Sequence, residues 1–143
     1  MWVPIFAEHP FHKILGEERC KYVYPFKSMA DLGVVMAFGS DHPIAELNPM
    51  RGIYRAVTRL SEDKLPEGGW CPDEKLSLAD SLKAYTIGAA YQMWSNEVTG
   101  TLEEGKFADV AVLDRNLFKV DVEEILETTV VMAMLGGQII HQI

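Results

Sequence analysis

The stretch Val34-Val35-Met36-Ala37-Phe38-Gly39-Ser40-Asp41-His42-Pro43 decides how the rest of the chain is read. Five apolar residues in a row, Val34 to Phe38, two of them β-branched and one aromatic, predict a strand buried on both faces, as in a parallel sheet. Gly39 ends the run, and Pro43 has no N–H to offer a continuing ladder, so the chain leaves the sheet here. Asp41 then stands at the strand's carboxyl end, where barrels and open α/β sheets gather the loops that carry chemistry. The pattern alone leaves two readings of Asp41 open: a turn or helix-cap residue, or a carboxylate delivered to a site.

On the amino-terminal side, Ser28 is placed as the cap of a short helix through Leu32, with Gly33 supplying its left-handed end. Residues Met1 to Phe26 hold Pro4, Pro10 and Pro25 and no sustained period, and read as loop with short helical turns. His9 and His12 flank Pro10 and have no third ligand nearby, so they are not taken as a metal site. Trp2, Val3, Ile5 and Phe6 have nothing before them to pack on, as expected of an interior segment of a longer protein.

On the carboxyl-terminal side, Asn48 caps a helix that has Pro49 at its first position and runs to about Leu60. Met50, Ile53, Tyr54, Val57 and Leu60 give it an apolar core-facing stripe. Arg51, Arg55 and Arg59, spaced by four, read as a solvated row; Arg51, nearest the Asp41 loop, is also a candidate contact for a substrate anion. Ser61 to Ser77 is a loop that Trp70 anchors to the core. Ser77 with Asp80 opens the longest predicted helix, carrying Leu78, Leu82, Tyr85, Ala89 and Met93. After Glu97 the period changes. Val110 to Leu113 is a strand, Asp121 with Glu124 caps a short helix to about Glu127, and Thr129 to Leu135 is a β-branched-rich strand. Gly136-Gly137 turns the chain into a returning strand from Gln138 to Ile143. His141, on that strand, reads as a surface or core histidine rather than a ligand.

The sequence has 143 residues, 48% of them hydrophobic, enough for one domain with a real core. A formal net charge of −8 and the lack of any Lys/Arg cluster exclude a nucleic-acid surface. Cys20 and Cys71 lie outside any C-x-x-C spacing and read as free thiols in a reducing compartment, the cytoplasm. The first residues lack a basic n-region and a long apolar h-region, and no apolar run approaches membrane-spanning length. A serine-hydrolase reading of Ser40, Asp41 and His42 fails, because adjacent strand side chains point to opposite faces whereas a triad must converge. No G-x-S-x-G, P-loop or dinucleotide fingerprint occurs.

Gly39-Ser40-Asp41-His42-Pro43 followed by Asn48-Pro49 resembles the end of the last barrel strand in the amidohydrolase superfamily, in its YtcJ-like family 3 branch. Gly100 to Asp114 is similar to the superfamily's G-x-L-E-x-G-K-x-A-D-x-x-V-L-D, and Thr86-x-x-Ala89-Ala90 to its helix over the last barrel strand. Pro4-Ile5-Phe6, Leu15 to Arg19 and Tyr24 to Ser28 resemble stretches that lead into the final barrel unit. The resemblance covers nearly the whole chain and corresponds to the carboxyl-terminal quarter or so of a family member.

What the resemblance implies is an α/β fold. Residues 1–97 would be the last β/α unit or units of a TIM-type amidohydrolase barrel, and residues 98–143 strands of the small β-sandwich beside it. The implied activity is hydrolysis of C–N bonds in small, amide-like, non-peptide molecules by metal-activated water. Asp41 would be a ligand or close neighbour of a divalent metal, zinc in this reading, and would take a proton from the bound water. His42 is the implied substrate contact. Asp109 and Asp114 would be turn and strand-end residues. Family members take their other ligands from an H-x-H, a carboxylate or modified lysine, and two later histidines, on strands with no counterpart here. The isolated piece is therefore expected neither to bind the metal tightly nor to hydrolyse amides. The alternative is a non-catalytic, structural or self-associating module, with a homo-oligomer expected through Met1 to Pro43. Neither nucleic acid nor membrane is an expected partner.

Overall fold

The structure, a computed structural model, describes the backbone of residues 10–143 and the side chains of residues 14–143. The histidine pair at 9 and 12 and the apolar residues at 2–6 lie outside the described side chains.

Helix α1, Pro10–Cys20, forms where the proline-containing sequence predicts loop with short helical turns. The proline that looked like punctuation opens the helix, where its missing N–H costs nothing. Gly16, at φ 74 and ψ 164, departs from helical geometry inside it. Helix α2, Phe26–Asp31, starts after Pro25 and not after Ser28, which lies within the helix. Ser28 is instead tied to a distant segment: its N–H donates to Glu74 at 2.9 Å and its hydroxyl donates to the same carboxylate. Gly33 does take the left-handed conformation after α2, at φ 75.

The expected strand from Val34 to Phe38 is the main correction. Among the described residues no strand lies beside it, and it joins no ladder. Its backbone finds other partners. The Val34 N–H donates to the Met29 carbonyl at 3.0 Å, and the Phe38 N–H donates to the Ala84 carbonyl at 2.9 Å. Val34 and Val35 are exposed, whereas Phe38 is buried.

Helix α3, Pro49–Thr58, follows its sequence signals closely. The Asn48 side chain accepts the Met50 N–H at 3.0 Å, and Arg59 closes the helix in the left-handed region at φ 62. Met50, Ile53 and Tyr54 form the main core with Leu117 and Ile125, joined by half-buried Val57, Leu60, Leu78, Leu82 and Tyr85. A second cluster gathers Phe38, Ala56, Leu76 and Ala84, and a third Cys20 with Trp70. Trp70 thus anchors its loop, as expected.

The long helix predicted after Ser77 is broken in two. Helix α4 is Leu78–Tyr85, capped where the Ser77 hydroxyl accepts the Asp80 N–H at 3.0 Å, and helix α5 is Ile87–Gln92. Thr86 between them has φ −115 and ψ −94, and its hydroxyl donates back to the Leu82 carbonyl at 2.8 Å. A hydroxyl bonded to the carbonyl four residues back bends a helix, and the 3.6-residue period continues across the bend without showing it.

Strands β1, Val110–Leu113, β2, Val130–Leu135, and β3, Gln138–Gln142, form an antiparallel sheet in the order β1-β2-β3, with Val110 opposite Met134 and Met132 opposite Gln142. Gly136 and Gly137 make the turn between β2 and β3 at positive φ, as that tight connection demands. The link from β1 to β2 carries a 3₁₀ turn, Val122–Glu127, where Glu124 accepts the Asp121 N–H at 3.0 Å. Ile125 from that turn enters the main core and couples the sheet to α3.

Candidate functional site

Asp41 sits in a tight turn that begins where the apolar segment ends. Its backbone is left-handed, at φ 50, which aspartate tolerates better than most residues. Its carbonyl accepts the Ile44 N–H at 2.8 Å, and the Ser40 carbonyl accepts the Ala45 N–H at 3.1 Å. With the backbone so engaged, the carboxylate faces solvent and makes no side-chain hydrogen bond or ion pair among the described residues. It borders a groove of about 460 Å³ whose wall is Val35, Ala37 and Gly39 on one side and Tyr24, Phe26 and Met29 on the other. Phe38 steadies the approach to this turn, its ring meeting Phe26 edge-on at 5.2 Å and Tyr85 at 5.5 Å.

His42 follows Asp41 but lines a different cavity, a cleft of about 320 Å³ between the turn and α3. The peptide bond to Pro43 is cis, and His42 Nδ1 lies 3.3 Å from the Ala45 carbonyl oxygen. The two predicted site residues thus serve opposite sides of one turn, and the structure does not bring their side chains to a common point. Glu46, Arg51, Arg55, Gly52 and Tyr85 form much of the rest of the cleft. Arg51 Nη1 donates to Glu46 at 2.7 Å, and Arg55 Nη2 reaches both carboxylate oxygens of Glu62 at 2.8 Å. Burial alone would push the Glu62 carboxyl up. The hydrogen bond from Arg55, with the charges of Arg55 and Arg51, takes it below the usual range. Arg51, the candidate anion contact, already has a carboxylate on its guanidinium. Tyr85 is pushed up by burial, against a smaller opposing effect of Arg55.

The arginine row is solvated only at its start, where Arg51 is exposed; Arg55 is half-buried. Arg59 is fully buried. Its Nε donates to the Trp70 carbonyl at 2.9 Å and its Nη1 to the Tyr24 carbonyl at 3.2 Å, while the guanidinium carbon lies 4.9 Å from the Trp70 ring centre and 5.7 Å from that of Phe26. The signal that could have found it is the aromatic loop residue Trp70.

Asp109 and Asp114 are structural, as read. Asp109 accepts the Thr99 hydroxyl at 2.8 Å and the Gly136 N–H at 2.8 Å, and Asp114 accepts the Thr129 N–H at 3.1 Å beside Arg115. His141 is exposed on β3, its Nε2 lying 3.1 Å from the Val130 carbonyl oxygen.

No three His, Cys, Asp or Glu side chains gather into a metal shell among the described residues. What the turn offers is one uncommitted carboxylate, which fits a single oxygen-ligand position of a divalent-metal site and not a whole shell.

This fold has a counterpart in the crystal structure of an uncharacterized metal-dependent hydrolase from Pyrococcus horikoshii. The match covers 82% of this chain and 24% of that one, with a TM-score of 0.71 and 30% identity. The chain belongs to the Amidohydrolase family, whose model matches residues 1–141. It is 34% identical over 127 residues to Protein LONG AFTER FAR-RED 3 of Arabidopsis thaliana, covering 88% of this chain and 21% of that protein. It is 30% identical over 128 residues to YtcJ of Bacillus subtilis, covering 90% of this chain and 24% of that protein. The chain therefore spans between a fifth and a quarter of the length of these relatives. Among the described residues, no helix is long and apolar enough to cross a membrane.

Proposed function

We propose that this chain is the carboxyl-terminal portion of a metal-dependent amidohydrolase acting on C–N bonds of small, amide-like, non-peptide molecules. Residues 1–97 supply the last part of a TIM-type barrel, and residues 98–143 a segment of the adjoining β-sandwich. The observation that carries the reading is Asp41: an aspartate at the end of an apolar segment, its backbone held by the turn, its carboxylate uncommitted and exposed at the border of a groove. The antiparallel sheet of β1 to β3 supports the second part.

A divalent metal, zinc on the likeness of the motif, would supply Lewis-acid polarisation and a water of lowered pKa. Asp41 would offer it one oxygen ligand and a carboxylate Oδ able to take a proton. His42, from the neighbouring cleft, contacts the substrate beside the Asp41 turn. The other ligands come from outside the described residues, so this chain alone is proposed to be inactive and to hold no metal tightly. Its two free cysteines support a cytoplasmic setting.

The experiment is Asp41→Asn in a full-length family member that carries this segment. The amide keeps the shape and loses the basicity, so kcat should fall by about 10²–10⁴ with the fold intact. Turnover near that of the unsubstituted protein would refute the assignment.

A second reading, a non-catalytic self-associating module with Asp41 as a plain turn residue, is favoured by one observation. Val34 and Val35, from a stretch composed for burial, are 44% and 59% exposed.

A further inference from the structure

The chain has two cysteines, and the fold brings them together across 51 positions of sequence. Cys20 ends α1 and is buried, 2% exposed. Cys71 follows Trp70 in the loop before α4 and is half-buried. Its Sγ lies 3.6 Å from the carbonyl oxygen of Cys20 itself, and both cysteines belong to the cluster built on Trp70.

A second observation concerns what surrounds the outer thiol. Burial pushes the Cys71 thiol up, and the charge of the Arg59 guanidinium with a hydrogen bond from it opposes that rise. A neighbouring cation favours the anionic forms of sulfur, thiolate or sulfenate. Burial of Cys71 works against that attraction and keeps the resting group a thiol. The pair therefore has an accessible member beside a positive charge and an enclosed member in contact with it.

We propose that Cys71 is a hydroperoxide-sensitive thiol and Cys20 its resolving partner. Cys71 sulfur attacks the peroxide, the O–O bond breaks, and one oxygen stays on sulfur as sulfenic acid while the other leaves as water or an alcohol. Cys20 sulfur then displaces the sulfenic oxygen, which leaves as water, and the S–S bond forms. Two thiols lose two electrons and two protons, and one peroxide is reduced. The bond fastens the end of α1 to the loop before α4.

The test treats the 143-residue chain with hydrogen peroxide under native conditions, followed by intact mass and thiol titration. The expected product is a monomer lighter by two hydrogens, with both thiols lost and both restored by dithiothreitol. Cys20→Ser should stop at a Cys71 sulfenic acid that dimedone captures, and Cys71→Ser should leave Cys20 unmodified. Because Cys20 lies in a core, Cys71→Ala provides a variant that avoids disturbing it, with the same expected protection of Cys20. Stepwise gain of oxygen without loss of hydrogens would overturn the proposal. So would cross-linking between chains on a non-reducing gel, or oxidation of Cys20 at an unchanged rate without Cys71.

Discussion

The hydroxyl of Tyr85 stands so close to the backbone of Gly52 that a Cβ on Gly52 would lie 1.8 Å from the oxygen. Both residues line the His42 cleft, and the same tyrosine ring packs edge-on against Phe38, just before the Asp41 turn. Gly52→Ala must therefore move a ring that holds the approach to the site. Overpacking of this kind costs about 1–3 kcal/mol, readable as a lower urea midpoint. Tyr85→Phe on the Gly52→Ala background should recover part of the loss, since the oxygen is the nearest obstruction. A Gly52→Ala midpoint equal to that of the parent chain would contradict the contact.

Gly88 marks where α5 meets the 34–38 segment. A Cβ there would lie 2.0 Å from the Met36 carbonyl oxygen, a backbone atom that cannot rotate away. Gly88→Ala should destabilise by about 3 kcal/mol or prevent folding, near the upper end of overpacking costs. Gly39→Ala serves as the control, because a Cβ at Gly39 meets nothing within 4 Å, and it should stay within about 0.5 kcal/mol of the parent. Equal effects at the two positions, by denaturant unfolding, would mean that the helix does not rest on the segment.

Asp109 joins the Gly136-Gly137 turn to Thr99. The Gly136 N–H, then the Thr99 hydroxyl, hold its carboxyl below the ordinary aspartate value. A depressed folded-state pKa means stability that is present above the unfolded value near 4 and is lost as pH falls through the lower folded value. The protection of the Gly136 amide, measured against its intrinsic exchange rate at each pH, should therefore fall on acidification below about pH 4, and Asp109→Asn should remove that dependence. Protection at Gly136 that is unchanged down to strongly acidic pH would contradict it.

Exposed Val34 and Val35 predict self-association of the isolated chain. Burying roughly 400 Å² of such surface contributes about 10 kcal/mol at 25 cal/mol per Å², before the costs of association. Light scattering on a sizing column should report a dimer or larger at micromolar concentration. A monomer with slow amide exchange along Val34 to Phe38 would show that the chain covers this segment unaided.

Features whose causes are local were legible in the sequence. The Asn48-Pro49 start of α3, the Ser77 cap of α4, the Asp121 and Glu124 pairing and the Gly136-Gly137 turn each depend on residues within a few positions of one another. Three further features were misread, two of them because their causes are distant. Val34 to Phe38 has a strand's composition, but a ladder needs neighbours, and among the described residues there are none. Arg59 shares the spacing of Arg51 and Arg55, yet a left-handed residue at the helix end turns it beneath Trp70. The bend at Thr86 depends on one side-chain hydrogen bond that leaves the apolar period untouched. The candidate site was legible as Asp41 and its turn. That His42 faces a separate cleft followed only from the turn's geometry.

The central claim is that Asp41 belongs to a metal centre completed by other parts of a full-length protein. The most direct measurement is a crystal structure of a zinc-loaded full-length family member that carries this segment, with the metal located by anomalous scattering. The prediction is an Asp41 carboxylate oxygen at bonding distance from the metal, about 2.0–2.2 Å, or one water-bridged step away. An Asp41 side chain directed to bulk solvent, with a complete metal shell formed without it, would contradict the account.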